Sequence, residues 1–132
     1  MAEGLLARAL PELRIRSAGL GALIGHRADE TAIHLMAERQ IDISSHIATQ
    51  VTRELCLAAE LVLVMDHTQR RRVEDLYPQA LGRVYRIGEF TRQDIPDPYR
   101  QHQSTFRLVL SMLEASIDLW LPRIQKISRV RS

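Results

Sequence analysis

Leu61-Val62-Leu63-Val64-Met65-Asp66 is the stretch on which the fold turns. Five apolar residues in a row are too few for a membrane span, which needs roughly 20. They suit a strand buried on both faces, and such a strand belongs in a parallel sheet covered by helices on each side. Working outward, Thr52 can cap a short helix over 53–60. Asp66 closes the strand, and 67–77 is helical. Pro78 to Gly82 is a turn, and Val84-Tyr85-Arg86-Ile87 is a further strand stopped by Gly88. Further out, Leu13-Arg14-Ile15-Arg16-Ser17 alternates apolar and polar as a strand does. Leu5, Leu6, Ala9 and Leu10 follow helical spacing. Asp29 can cap a helix running to about Gln40, with Ala32, Ile33, Met36 and Ala37 as its buried stripe. Ser104 can cap the last helix. Its stripe of Phe106, Val109, Leu110, Leu113, Ile117, Trp120, Leu121 and Ile124 keeps i, i+3, i+4, i+7 spacing over five turns. Pro122 is where this helix bends or ends. Alternating strands and helices predict an α/β domain, a three-layer sandwich of parallel sheet between helices. The chain opens with a helix that no strand precedes, and three strands make a thin sheet.

Composition limits the function more than it reveals it. The 132 residues suffice for one domain, read as 1–132 with a flexible basic tail at 125–132. The net charge of +2 argues against a nucleic-acid partner. One cysteine, Cys56, excludes an intramolecular disulfide and fits a reducing compartment. Cys56 lies among apolar neighbours, so it reads as a small core residue. Neither a signal peptide nor a membrane-inserting segment is visible, so the cytoplasm is the expected location. The histidines at 26, 34, 46, 67 and 102 lack metal-ligand spacing, so no metal is expected.

Three groups of residues could carry chemistry. Asp94-Ile95-Pro96-Asp97-Pro98-Tyr99 follows a strand, so it lies at the sheet end where open α/β sheets bind ligands. The proline after Asp97 restricts that residue's backbone. A fixed carboxylic acid beside an aromatic wall suits general-acid work on a bound ring. From spacing alone, a proline turn with solvated acids explains the same residues at least as well. Ser17 and His46 could face one cleft, or be a surface serine and a capping histidine. Residues 18–27 form a glycine-rich loop whose Leu20, Leu23 and Ile24 are unusually apolar for solvent. The charges Arg123, Lys126, Arg129 and Arg131 come with no acid among them. They suit a basic patch or a solvated terminus.

Taken together, the blocks 17–25, 45–52, 61–66 and Asp97-Pro98-Tyr99, in this order and spacing, resemble the low-molecular-weight protein-tyrosine phosphatases. The likeness is to the bacterial branch that serves capsule and exopolysaccharide export, opposite a membrane tyrosine kinase. It covers about 1–124. The resemblance implies phosphotyrosine hydrolysis on a protein substrate, with no cofactor. In the family a cysteine in a C-x5-R loop attacks phosphorus and forms a phosphocysteine, and the arginine clamps the phosphate oxygens. The aspartate of D-P-Y protonates the leaving phenolate. Carried over, Asp97 is the general acid and Tyr99 part of the ring-binding wall. Leu20 and Leu23 line the opposite wall, and Ser17 and His46 support the phosphate loop. Arsenate reductases share the fold but need more cysteines. Phosphocarrier domains of sugar transport lack the D-P-Y acid.

One departure from the family is large. The C-x5-R loop should stand directly ahead of the segment that begins at Met1, and the only cysteine is followed six positions later by Val62. The nucleophile, the arginine and a central first strand are therefore outside these 132 residues. Two expectations follow: a longer chain in which Met1 is internal, or a shortened non-catalytic relative that binds a partner. A further expectation concerns the sheet, since a bare gap would strand several backbone groups. Either 13–17 pairs directly with 61–65, or a second copy fills the slot in a homodimer, or the strand exists upstream. For a stable 132-residue chain, the homodimer is the expectation.

Overall fold

The computed structural model describes residues 1–21, 25–98 and 101–131, the last four of these by backbone alone. Its elements in chain order are α1 (Ala2–Ala9), α2 (Glu30–Ala37), α3 (Arg53–Ala58), β1 (Val62–Val64), α4 (His67–Leu76), β2 (Val84–Arg86) and α5 (Gln103–Arg131). Short 3-10 turns occupy Pro78–Ala80 and Glu89–Thr91. The caps follow from side-chain chemistry. Asp29 accepts the Thr31 N–H, Thr52 the Leu55 N–H and Asp66 the Gln69 N–H, each meeting a donor that the helix cannot use.

The two strands pair in parallel, with Val62 opposite Val84, Leu63 opposite Tyr85 and Val64 opposite Arg86. Their side chains alternate between two helical layers. Leu63, Met65 and Ile87 pack with Leu6 and Leu10 of the α1 region and with Val109, Leu113 and Ile117 of α5. Val64 and Val84 pack on the other face with Cys56 of α3 and Val73 of α4. The result is the expected helix–sheet–helix sandwich. A third cluster seats Ala32, Leu35 and Met36 of α2 against Phe106 and Leu110. The stripe of α2 therefore runs through Leu35, while Ala37 is exposed.

The predicted strand at 13–17 is not a strand. Among the described residues the sheet contains β1 and β2 only. The alternation in the sequence is real: Leu13 and Ile15 are half-buried against the α1–α5 core while Arg14 and Arg16 are exposed. No neighbouring strand lies beside this segment to complete a ladder, so burial alternates without strand pairing. Direct pairing of 13–17 with β1, one of the three expected outcomes, does not occur. Just beyond, Gly19 makes an isolated parallel bridge to Gln50.

The last helix is longer than its sequence suggests. It runs for 29 residues through Pro122, and the backbone of residues 125–131 continues it. Its buried face reaches Trp120, whose Nε1–H donates to the carbonyl of Ile87 at 2.8 Å. The indole also meets Phe90 and Tyr85, with ring centroids 4.7 and 5.7 Å away. Arg123 stacks over Phe90 at 3.7 Å.

Candidate active-site cleft

The chain leaving β2 turns sharply. Gln93 N–H donates to the Gly88 carbonyl at 3.0 Å, closing a loop around the turn Glu89–Thr91. At Gly88 a Cβ would lie 2.2 Å from the Gln93 carbonyl oxygen, so only glycine lets the loop close this tightly. Arg92 adopts the left-handed conformation, with φ 55°. Next, Ile95 is buried and its N–H donates to the Met65 carbonyl at 2.8 Å. This bond docks the segment beside the carboxyl end of β1. Asp97 follows two residues later.

Asp97 is exposed and lines a cleft of about 380 Å³. Gly19, Leu20 and Gly21 line it from the glycine-rich loop, and Thr68, Gln69 and Arg72 from α4. The cleft thus brings together Asp97 and Leu20, two residues expected in the site. Leu23 and Tyr99 lie outside the described residues.

The two aspartates of the D-I-P-D run have different surroundings. Asp94 Oδ1 accepts from Arg86 Nη1 at 2.9 Å and from the backbone N–H of His67, the first residue of α4, at 3.2 Å. The Arg86 guanidinium, seconded by that N–H, holds the Asp94 carboxyl below the usual aspartate range. Asp94 is therefore a committed anion and a poor proton donor near neutrality. Asp97 faces the cleft instead.

Ser17 and His46 meet at a residue that sequence reasoning passed over. Ser17 Oγ donates to Glu3 Oε2 at 2.6 Å, and His46 Nδ1 lies 3.1 Å from the same oxygen. Glu3 stands in the first turn of α1. A carboxylate there is favoured by the helix dipole. Thr49 Oγ1 adds a bond to the Ser17 carbonyl at 3.1 Å, and Gly19 exchanges N–H and carbonyl bonds with Thr49 and Val51. Ser17 and His46 are thus joined at the start of α1, with the carboxylate of Glu3 between them.

Arg86 was the other residue missed. It is only 6% exposed, and it binds Glu89 at 3.4 Å as well as Asp94. The signal was present, because period-2 alternation puts Arg86 on the face of buried Val84, with acids following at 89 and 94. Cys56, by contrast, is a core residue at 3% exposure, and burial pushes its thiol above the ordinary range. A neutral buried thiol is a poor nucleophile.

Comparison with known proteins agrees with the geometry. The model of the family described as "Low molecular weight phosphotyrosine protein phosphatase" matches residues 1–130. "Probable low molecular weight protein-tyrosine-phosphatase EpsP" of Ralstonia nicotianae is 42% identical over 127 residues, 96% of this chain and 88% of that protein. The low molecular weight protein-tyrosine-phosphatase Wzb of Escherichia coli K12 is 42% identical over 120 residues, 90% of this chain and 82% of Wzb. The crystal structure of Wzb from E. coli K30 in complex with sulphate superposes with a TM-score of 0.88 at 34% identity, covering 93% of this chain and 87% of that one. The chain belongs to the low-molecular-weight phosphotyrosine protein phosphatase family. Its named relatives are protein-tyrosine phosphatases, hydrolases of phosphoric monoesters. These names give no support to a non-catalytic binder. Among the described residues no helix is long and apolar enough to cross a membrane.

Proposed function

We propose that this chain supplies the acid and the ring-binding wall of a phosphotyrosine hydrolase that works through a phosphocysteine. The cleft admits the tyrosine ring against Leu20, with Tyr99 and Leu23 as further wall residues. A thiolate from a C-x5-R loop joined ahead of Met1 attacks phosphorus. The bond from phosphorus to the tyrosine oxygen breaks, and Asp97 gives its proton to the leaving phenolate. The Asp97 carboxylate then takes a proton from water, which attacks phosphorus, frees the thiolate and releases phosphate. Ser17 and His46, with Glu3 between them, brace that loop. No metal or organic cofactor takes part. Cys56 has no role in the chemistry.

The observation that carries this reading is the contrast between Asp94, held as an anion by Arg86, and Asp97, which lines the cleft with Leu20. The substrate we infer is a tyrosine-phosphorylated protein in the cytoplasm, a membrane kinase of polysaccharide export.

The test is Asp97→Asn in a chain carrying the C-x5-R loop. Hydrolysis of aryl phosphates with poor leaving groups should slow about 10²–10⁴-fold. Good leaving groups, which need no proton, should suffer less. Equal loss for both would make Asp97 structural and end the reading.

A further inference from the structure

Among the described residues Arg86 is the one charged side chain that is buried. Burying a guanidinium costs free energy, and apolar replacements of buried ion pairs are often neutral or stabilising. What Arg86 contributes is therefore better sought in geometry than in stability. Its contacts all lead to one segment. Nη2 reaches Glu89 at the start of the turn after β2, and Nη1 reaches Asp94 at its end. Glu89 is also bound by Arg70 of α4 at 3.3 Å, and Asp94 by the first N–H of α4. The guanidinium thus joins β2, both ends of the turn and α4. Its Nε is buried with no partner among the described residues, so the outer fork alone makes the contacts.

Asp97 is three residues beyond Asp94, within about 10 Å along even a fully extended chain. Between them the Ile95 N–H is fixed to Met65 and Pro96 removes backbone freedom, and Pro98 restricts the backbone of Asp97 itself. A displacement at Asp94 therefore passes to Asp97 with little slack.

We propose that Arg86 is a positioning residue for Asp97: by holding Glu89 and Asp94 it sets where the acid stands in the cleft. The proposal rests on the reading of Asp97 as the general acid. A lysine could keep the charge but not the two-pronged hold.

Two measurements test it. The first uses the 132-residue chain. Amide hydrogen exchange at Ile95 should quicken at least about tenfold in Arg86→Leu and in Asp94→Asn, while the core amide of Leu110 keeps its protection. Unchanged protection of Ile95 in both variants would overturn the proposal. Should Arg86→Leu fail to fold, Asp94→Asn, altered at a half-exposed side chain, decides alone.

The second uses the chain with its C-x5-R loop. Arg86→Leu should slow poor leaving groups by up to about 100-fold and good ones far less, with Arg86→Lys close to Arg86→Leu. Combined with Asp97→Asn it should add almost nothing, because both act through one proton transfer. Full additivity, or equal loss for both leaving groups, would make Arg86 merely structural. If Asp97→Asn alone shows no leaving-group dependence, the acid reading fails. The exchange measurement still judges whether Arg86 holds the segment.

Discussion

The two walls of the cleft are built on opposite plans. The wall carrying Asp97 hangs from buried anchors: Ile95 on Met65, Asp94 on Arg86, and Gln93 folded back on Gly88. Behind it Trp120 holds Ile87. The facing wall, from Ser17 to Gly21, contributes no strand to the sheet. It is tied by Gly19 to the segment 49–51 and by exposed polar contacts to Glu3. Exposed polar contacts are individually weak, whereas buried ones are costly to break. On the proposed function, the acid is thus presented by the wall with the buried anchors, and Leu20 stands on the wall without a strand.

The contrast can be broken most forcefully at Gly88. A methyl group there meets a backbone carbonyl at 2.2 Å, which no rotamer relieves. Gly88→Ala should cost about 3 kcal/mol in urea unfolding, at the upper end of overpacking penalties. A loss below about 0.5 kcal/mol would mean that the acid wall gives way easily and is not the stiff one.

Acid titration sharpens the contrast at intermediate size. The folded-state value of Asp94 is depressed, chiefly by Arg86. Its contribution is therefore complete above the unfolded aspartate value of about 3.9 and is lost as pH falls through the lower folded value. Glu38, held low by Arg107, and Asp42, held low by Ser44, add to the same acid limb from elsewhere. In Asp94→Asn the drop in unfolding midpoint between pH ~6 and pH ~3 should be smaller than in the parent. An identical drop would show that the ion pair adds nothing to the stiff wall.

The smallest effect belongs to the other wall. Glu3→Ala removes the shared partner of Ser17 and His46, and stability should change by less than about 1 kcal/mol. Amide exchange at Gly19 should nevertheless quicken while that at Ile95 does not. Coupled quickening at both sites would mean that the walls move as one.

Much of this was legible in the sequence because it depends on periodicity. The stripe from Phe106 to Trp120 and the apolar run of β1 announce their burial by spacing alone. The caps at Asp29 and Thr52 announce themselves by residue type. Asp97 was marked by its prolines, and the same run left Asp94 as a rival that only hydrogen bonding could separate. The segment 13–17 misled because alternation reports which side chains are buried, and strand pairing needs a neighbour as well. Arg86 was legible in the alternation with Val84 and in the acids that follow it, whereas Glu3 went unread because its partner Ser17 lies 14 residues away and no local pattern encodes such a meeting. The run through Pro122 depended on packing that outweighs one missing donor.

The indole of Trp120 has a practical consequence. It is the chain's one tryptophan, buried, stacked on Phe90 and bonded to the residue after β2. Its fluorescence therefore looks onto the back of the wall that carries Asp97 and onto β2. Loosening of that wall would expose the ring to water and shift its emission to the red, while events at Glu3 would leave the spectrum as it was. The molecule carries its own optical gauge, placed behind the wall that carries Asp97.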